Sequence, residues 1–232
     1  MEIKRYGEKE FLSADKLYIR ENEIHIWCIR WPEMTDFWKN HEYILSGQEL
    51  EQAGRFRFPE DRMRYIAGKV VMRILLKRYL DMETIDFSVN ELGKPYHKEI
   101  AGKQTVNFNI SHSGEFILEG FAVGMDIGVD VQEMAGCPDY REIAGNFYTA
   151  EEAEDVINEG PELFFQYWAA KEAYVKAIGI GLGRGMDFFS VRNGEITEKG
   201  RKGQGWHLYP VKIEGYAAYV AAHKKGDKSN EL

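Results

Sequence analysis

The chain has 232 residues, 44% of them hydrophobic and 29% charged, with a formal net charge of −8. That is enough apolar material for a sizeable core, in one large domain or in two lobes of roughly 110 residues. The acidity argues against general nucleic-acid binding, and no apolar run reaches the ~20 residues that a membrane-spanning helix requires. The opening residues, MEIKRYGEKEF, are charged and carry no apolar stretch, so they predict no secretory signal. Cys28 and Cys137 stand far apart in no metal-ligand spacing and read as reduced thiols of a cytoplasmic protein.

Residues 22–31 alternate around Ile24 and Ile26 as a strand does, and the polar stretch 46–54 predicts a helix. Residues 61–80 predict an amphipathic helix. Its buried face is Ile66, Val70, Ile74 and Leu75, and Lys69, Arg73 and Lys77 form a basic line at four-residue steps. That line reads first as a solvated face and second as a dock for an acidic helix. Glu91 through Tyr96 contain Gly-Lys-Pro and predict a turn. Val106, Phe108 and Ile110 alternate with Asn107 and Asn109 in a second strand, expected to end in a turn at Ser111-His112-Ser113-Gly114. Two further strands are predicted at 116–123 and 125–132, with Gly124 between them.

Thr149-Ala150-Glu151-Glu152 is a capping-box sequence that opens a helix of about ten residues. After Gly160-Pro161 a longer helix is expected over 162–178, buried through Leu163, Phe164, Tyr167, Tyr174, Val175 and Ile178 and stopped by Gly179. Gly181, Gly183 and Gly185 predict a flexible loop, residues 187–192, 206–213 and 216–222 a sheet, and 224–232 a disordered tail. Each half thus reads as helices with three or more strands, an α+β architecture with internal duplication.

Charge is distributed unevenly. Residues 55–78 hold Arg55, Arg57, Arg62, Arg64, Lys69, Arg73, Lys77 and Arg78 against Glu60 and Asp61, eight minus two, a local excess of +6 in an acidic chain. An anionic ligand is expected to meet this segment. Farther on, alternation in Gly128-Val129-Asp130-Val131-Gln132 aims Asp130 and Gln132 to one side. In the helix, Trp168, Glu172 and Lys176 stack at four-residue steps. Brought together, two carboxylates, an amide and an ammonium suit a magnesium-bound pyrophosphate. Taken alone, each piece has a plainer reading: Asp130 as a strand-end carboxylate, Glu172 and Lys176 as a surface i,i+4 pair, Trp168 and Tyr174 as core, His112 as a hydrogen-bonded structural histidine.

The motifs Gly93-Lys94-Pro95, Asn109-Ile110-Ser111-His112-Ser113, Gly128-Val129-Asp130 and Trp168-x-x-Lys171-Glu172-x-x-x-Lys176 occur in an order and spacing that resemble the 4′-phosphopantetheinyl transferases of the two-lobed, surfactin-synthetase-activating type. Arg55-Phe56 and Arg64 fit the same pattern, and the likeness covers roughly residues 50–192. It implies two similar α+β lobes related by pseudo-two-fold symmetry, 1–124 and 125–223. It implies Mg2+-dependent transfer of the 4′-phosphopantetheine arm of coenzyme A to a serine of an apo acyl or peptidyl carrier protein, with release of adenosine 3′,5′-bisphosphate by a cytoplasmic monomer. On that likeness Asp130, Glu172 and, as a weaker donor, Gln132 hold the metal. Glu172 is the general base and Lys176 stabilises phosphate charge. Arg55, Arg64, Lys94, Pro95, Ser111, His112, Asp130 and Lys176 bind the coenzyme, and Phe147 and Tyr148 face the carrier.

Two features depart from the pattern. Gln132 stands where a relative carries an acid, which removes one negative charge from the metal site, and Asp126 is too far along its strand to replace it. Glu49 and Gln52 stand where lysines are common in the family, so the charge for the coenzyme's 3′-phosphate must come from Arg55, Arg57 or Arg64. These departures keep open an adaptor that binds coenzyme A or a carrier without efficient catalysis. A metal-dependent hydrolase of nucleotide pyrophosphates has the same charge requirements.

Overall fold

The computed structural model describes residues 1–83, 85, 87–89, 95–97, 105–180, 185–198, 201–203 and 205–224. In the first half the elements are β1 (Glu2–Tyr6), α1 (Glu8–Ser13), β2 (Glu23–Arg30), α2 (Thr35–Asn40), α3 (Gly47–Gly54), α4 (Pro59–Leu80), the β3–β4 hairpin (Phe87–Val89 and Pro95–His97), β5 (Val106–Ser113) and β6 (Phe116–Val123). The second half contains β7 (Met125–Glu133), α5 (Tyr140–Phe147), α6 (Ala150–Glu159), α7 (Pro161–Ile178), β8 (Phe189–Ser190), β9 (Thr197–Glu198), β10 (Arg201–Lys202), β11 (Trp206–Pro210) and β12 (Tyr216–Lys224). The architecture is mixed α+β.

Two sheets form the frame. One has the order β1-β2-β6-β5, parallel only between β1 and β2; the other is antiparallel, in the order β11-β12-β7. Alternation assigns each strand's two sides. Ile117 and Phe121 of β6 face α4 in one cluster, while Leu118 and Ala122 face the second sheet in another, against Ile127, Val129 and Val131 of β7. The central strand β2 is buried on both sides, Trp27 and Ile29 toward α4 and Ile24 and Ile26 toward the second sheet. The layers therefore run helix, sheet, sheet, helix, with α7 covering the far face of the second sheet through Ala173, Ala177 and Ala221. Each large apolar side chain buried this way contributes about 1.5–3 kcal/mol.

The long helices have local reasons to start and stop. α4 begins at Pro59, whose missing N–H costs nothing at a first turn, carries Glu60 and Asp61 at its positive end, and ends with Lys77, Arg78 and a left-handed Asp81. α7 opens with Pro161 and closes at Gly179, which has φ of 72°. In α6, Thr149 accepts from Glu152 N as the capping-box sequence predicts.

Several expectations needed correction. The strand over 106–110 does not stop at Ser111. It continues through Ser113, and the turn falls at Gly114, whose φ is 51°. Both strands around Gly124 form, with partners that the sequence left open: β6 lies between β2 and β5, and β7 pairs with β12. Residues 187–192 do not extend the large sheet, because β8 joins β9 and β10 in a small one of their own. The strand β1 and the helix α5 lacked a sequence signal, being short and mostly polar. Gly93, Lys94, the loop 181–184 and the tail 225–232 lie outside the described residues. Cys28 and Cys137 are free thiols. Among the described residues no helix is long and apolar enough to cross a membrane.

α7 presses onto β7 at Gly128. A Cβ there would stand 2.1 Å from the Ala173 carbonyl oxygen and 2.4 Å from Ala177 N, both backbone atoms that cannot turn aside. Gly128→Ala is therefore expected to push α7 off the sheet and to cost about 1–3 kcal/mol in urea unfolding. A variant as stable as the parent would show that the helix is free to shift.

Candidate active site

β7 is the edge strand of its sheet, and its outward backbone groups find partners in an unusual way. Val129 N donates to Asn109 Oδ1 at 2.9 Å, Val131 N to Ser111 Oγ at 3.4 Å and Glu133 N to Ser113 Oγ at 2.9 Å. Asn107 Nδ2 donates back to Met125 O at 2.7 Å. Every second side chain of β5 thus replaces the ladder that a neighbouring strand would have formed. This seam joins the two sheets and fixes which way β7 turns its even-numbered residues.

Asp130 is one of these. Its carboxylate is fully buried, and Oδ1 accepts from Ser111 Oγ at 2.7 Å and from Lys176 Nζ at 2.5 Å. Gln132, two residues on and on the same side as expected, donates through Nε2 to Asp130 Oδ2 at 3.1 Å, which leaves its amide oxygen available. Lys176 also reaches Ser111 Oγ at 3.0 Å. Ser111 is buried at the junction of these groups, so in this structure it positions Asp130 and Lys176.

Glu172 stands one helical turn before Lys176 and is 5% exposed. Its carboxyl is pushed up to about 7, first by burial and then by the charge of Asp130, while Lys176 opposes the shift. Trp168, the third member of the line, packs against Phe147, Tyr148 and Phe164 as core. The motif's other lysine, Lys171, is fully buried. It pairs with Glu152 at 2.7 Å and donates to the Met186 carbonyl at 2.8 Å. Glu152 in turn accepts from Val191 N at 2.6 Å. This staple ties α6, α7 and the following segment together and so fixes the rotation of α7 that aims Glu172 and Lys176.

Asp130, Gln132, Glu172, Lys176, Ser111 and His112 line one cavity of about 280 Å³, whose opposite wall is Tyr65, Gly68 and Lys69 of α4. Burial lowers the His112 pKa, with the charges of Arg64, Lys176 and Lys69 adding to the effect, so the imidazole favours its neutral form. Arg64 donates to Gly114 O at 3.3 Å and pairs with Asp61, and its Nε is buried without a partner. Among the described residues no three His, Cys, Asp or Glu side chains come together as a metal-holding group. The hard donors on offer are the Asp130 and Glu172 carboxylates and the Gln132 amide oxygen.

Not every predicted residue converges here. Arg55 is exposed and pairs with Glu51 at 2.6 Å, outside the cavity lining. Arg57 stacks on Phe58. Pro95 opens β4, and Lys94 lies outside the described residues. Asp126 lines a separate small depression with His97 and Phe108. Tyr148 is buried and its hydroxyl donates to the Phe164 carbonyl, so of the pair expected to face a partner only Phe147 reaches the surface. The basic line of α4 is not a uniform solvated face. Arg73 is held by Glu49 at 2.6 Å and lies over the Phe87 ring, and Lys69 turns into the cavity. The i, i+3, i+4 spacing of Tyr65, Gly68 and Lys69 was the available sign of that wall.

Sheets, covering helices and a cavity that sets two carboxylates against a lysine define an α+β protein with a polar, charge-bearing cleft. The profile of the 4′-phosphopantetheinyl transferase superfamily matches residues 126–222, and that of the 4′-phosphopantetheinyl transferase N-terminal region matches residues 29–120. The 4′-phosphopantetheinyl transferase HetI of Nostoc sp. is 31% identical over 175 residues, 72% of this chain and 73% of its own. The 4′-phosphopantetheinyl transferase Sfp of Bacillus subtilis is 34% identical over 155 residues, 64% of this chain and 66% of its own. A protein of Synechocystis sp., slr0495, is also 34% identical over 155 residues, and the match spans 62% of its length, less than two thirds. The chain belongs to the 4′-phosphopantetheinyl transferases.

The raised Glu172 carboxyl has a consequence for stability. A carboxyl whose folded pKa lies above its unfolded value near 4.5 favours the folded state while protonated. That contribution is present below about pH 4.5 and is lost as the pH rises to about 7. Without added ligand, Glu172→Gln is expected to match the parent near pH 4.5 and to exceed it at pH 8 by about 1–3 kcal/mol. Urea unfolding at both values checks this; a stability difference that does not grow with pH would contradict the assignment.

Proposed function

We propose that the chain transfers the 4′-phosphopantetheine arm of coenzyme A to a serine of an apo acyl or peptidyl carrier protein, releasing adenosine 3′,5′-bisphosphate. The observation that carries this reading is the convergence of Asp130, Glu172, Lys176 and His112 on one cavity. Asp130 and Glu172, with Gln132 as a weaker donor, would hold Mg2+; a pair of carboxylates in which the charge of Asp130 disfavours ionisation of Glu172 is a fitting donor set for a cation that commonly binds one or two carboxylates plus phosphate oxygens. Bound there, magnesium supplies neutralisation of diphosphate charge.

The chain's own groups do the rest. Glu172, with a carboxyl balanced near neutral pH, takes the proton of the incoming serine hydroxyl. The serine oxygen forms a bond to the β-phosphorus, and the bond from that phosphorus to the bridging oxygen breaks, which leaves the electron pair on the departing nucleotide. Lys176 sits on a flexible stem between Asp130 and the cavity and donates to the phosphate on which charge accumulates. His112 on the adjoining wall is a phosphate donor, Arg64, whose charge acts on His112 from outside the lining, is a candidate for the same role, and Lys94, Pro95 and Arg55 remain candidates for the nucleotide end.

The cavity takes its walls from both halves of the chain, which supports lobes at 1–124 and 125–223 and a protein that acts as a monomer. In each half a strand precedes a long helix, a small separate sheet (two strands in the first half, three in the second) and two more strands, with sheet orders β2-β6-β5 and β7-β12-β11. This parallel supports a pseudo-two-fold relation between the lobes. Phe147, exposed beside the cavity's helix, is a candidate contact for the carrier.

Incubated with coenzyme A, Mg2+ and an apo carrier, the protein is expected to add about 340 Da to the carrier, the mass of the transferred group. Glu172→Gln is expected to abolish the addition while keeping the fold. Coenzyme binding with no mass gain on several carriers would favour the adaptor, a reading that the uncharged Gln132 beside Asp130 keeps in play. Release of free phosphopantetheine without a carrier would favour hydrolysis.

A second expectation concerns Gln132 itself. Gln132→Glu adds a negative charge next to Asp130 and is expected to lower the Mg2+ concentration for half-maximal transfer or leave it unchanged. A large loss of activity would show that the amide donor to Asp130 is itself required.

A further inference from the structure

Lys69 is placed differently from every other cation around the cavity. Lys176 is held by Asp130, Arg64 by Asp61 and Gly114 O, and Arg73 by Glu49. Lys69 has neither a hydrogen bond nor an ion pair among the described residues, and its ammonium lies 5.6 Å from the centroid of the Tyr65 ring. It is half-buried in the cavity wall.

Two carboxylates act on its charge, Glu49 more strongly than Glu119, and neither is a partner: Glu49 is held by Arg73 at 2.6 Å. Glu119 of β6 pairs in register with Trp27 of β2 and Ile110 of β5, on the face of the sheet that α4 covers. It is 1% exposed, and neither carboxyl oxygen has a hydrogen-bond partner. Burial raises its pKa well above the usual carboxylate range, against the pull of Lys69, so its protonated form is favoured and leaves the ammonium without an anion. Buried polar groups in folded proteins ordinarily find partners. Lys69 lines the cavity, where a bound anion would supply that partner.

There it meets the phosphate-binding wall. Gly68 lets α4 lie close on β5, where an added Cβ would stand 3.2 Å from Ile110 Cδ1 and 3.9 Å from His112 Cδ2. The residue after Gly68 therefore sits beside His112, on the side of the cavity away from α7. We propose that Lys69 is a ligand-binding residue that donates from its ammonium to a phosphate oxygen of the bound nucleotide, opposite Lys176. This rests on the coenzyme reading of the cavity. A terminal phosphomonoester and the diphosphate link offer the same acceptor, and the choice of probes tells them apart.

The test is calorimetric binding, without carrier and so without turnover, of coenzyme A, dephospho-coenzyme A and inorganic pyrophosphate to the parent, Lys69→Met, Lys69→Gln and Lys69→Arg. Both neutral variants are expected to bind coenzyme A about tenfold or more weakly, as befits loss of a charge-assisted hydrogen bond, with Lys69→Arg restoring most of the affinity. A loss shared by dephospho-coenzyme A and pyrophosphate assigns the contact to the diphosphate; a loss confined to coenzyme A assigns it to the 3′-phosphate. Two neutral variants are used so that misfolding of one, read from its thermal transition, leaves the other. Affinities of folded neutral variants within twofold of the parent for all three probes would overturn the proposal. A parent that binds pyrophosphate but not coenzyme A would refute the coenzyme reading, yet weakening of pyrophosphate by Lys69→Met would still sustain Lys69. A parent that binds none of the three would refute both.

Discussion

The placement of the reacting groups depends on how β5 is fastened to β7. A conventional ladder between them would consume backbone groups on both strands and leave the β5 side chains free. Here Asn109, Ser111 and Ser113 accept from β7 N–H groups, and Asn107 donates to a β7 carbonyl. Such bonds contribute only about 0.5–1.5 kcal/mol each. Their larger effect is geometric, because an orphaned edge would otherwise bury unpaired donors. With the seam in place, the odd residues of β7 enter the core between the sheets, and Asp130 and Gln132 face α7.

A second fixed point lies on the other side of the cavity. Lys171 and Glu152 are both fully buried, and a charge pair so deep is tolerable only because further bonds satisfy it. The pair locks α7 to α6, while Gly128 lets the same helix lie against the sheet backbone. Glu172 and Lys176 are thus aimed by contacts one turn away and on a different helix. Asp130 and Lys176 hold each other, and Glu172 stays beside them with its carboxyl near half-ionisation at neutral pH.

Much of this was legible in the chain itself. Alternation placed Asp130 and Gln132 on one side, the four-residue steps placed Glu172 above Lys176, and the capping box located α6. Those signals are local, so the residues suffice. The pairing partners of β6 and β7 were not legible, since strand order is decided by packing between distant segments. The motif serines were misjudged for a related reason. Ser-His-Ser-Gly has turn composition, but the open edge of β7 extends the strand by offering partners to Ser111 and Ser113. Lys69 was misread because a helical stripe of lysine and arginine looks alike whether it meets water or a cavity; only the adjacent Gly68 marked close approach.

The seam also bears on why both halves travel on one polypeptide. Cut away from β5, the strand β7 would present a row of unmet backbone donors at the rim of a three-stranded sheet, beside the apolar face of Val129 and Val131. Such a rim is a template for another extended segment, including a second copy of itself. Covalent linkage keeps the asparagine and serine side chains at high effective concentration beside that rim, so self-association is suppressed by the same four residues that orient the chemistry.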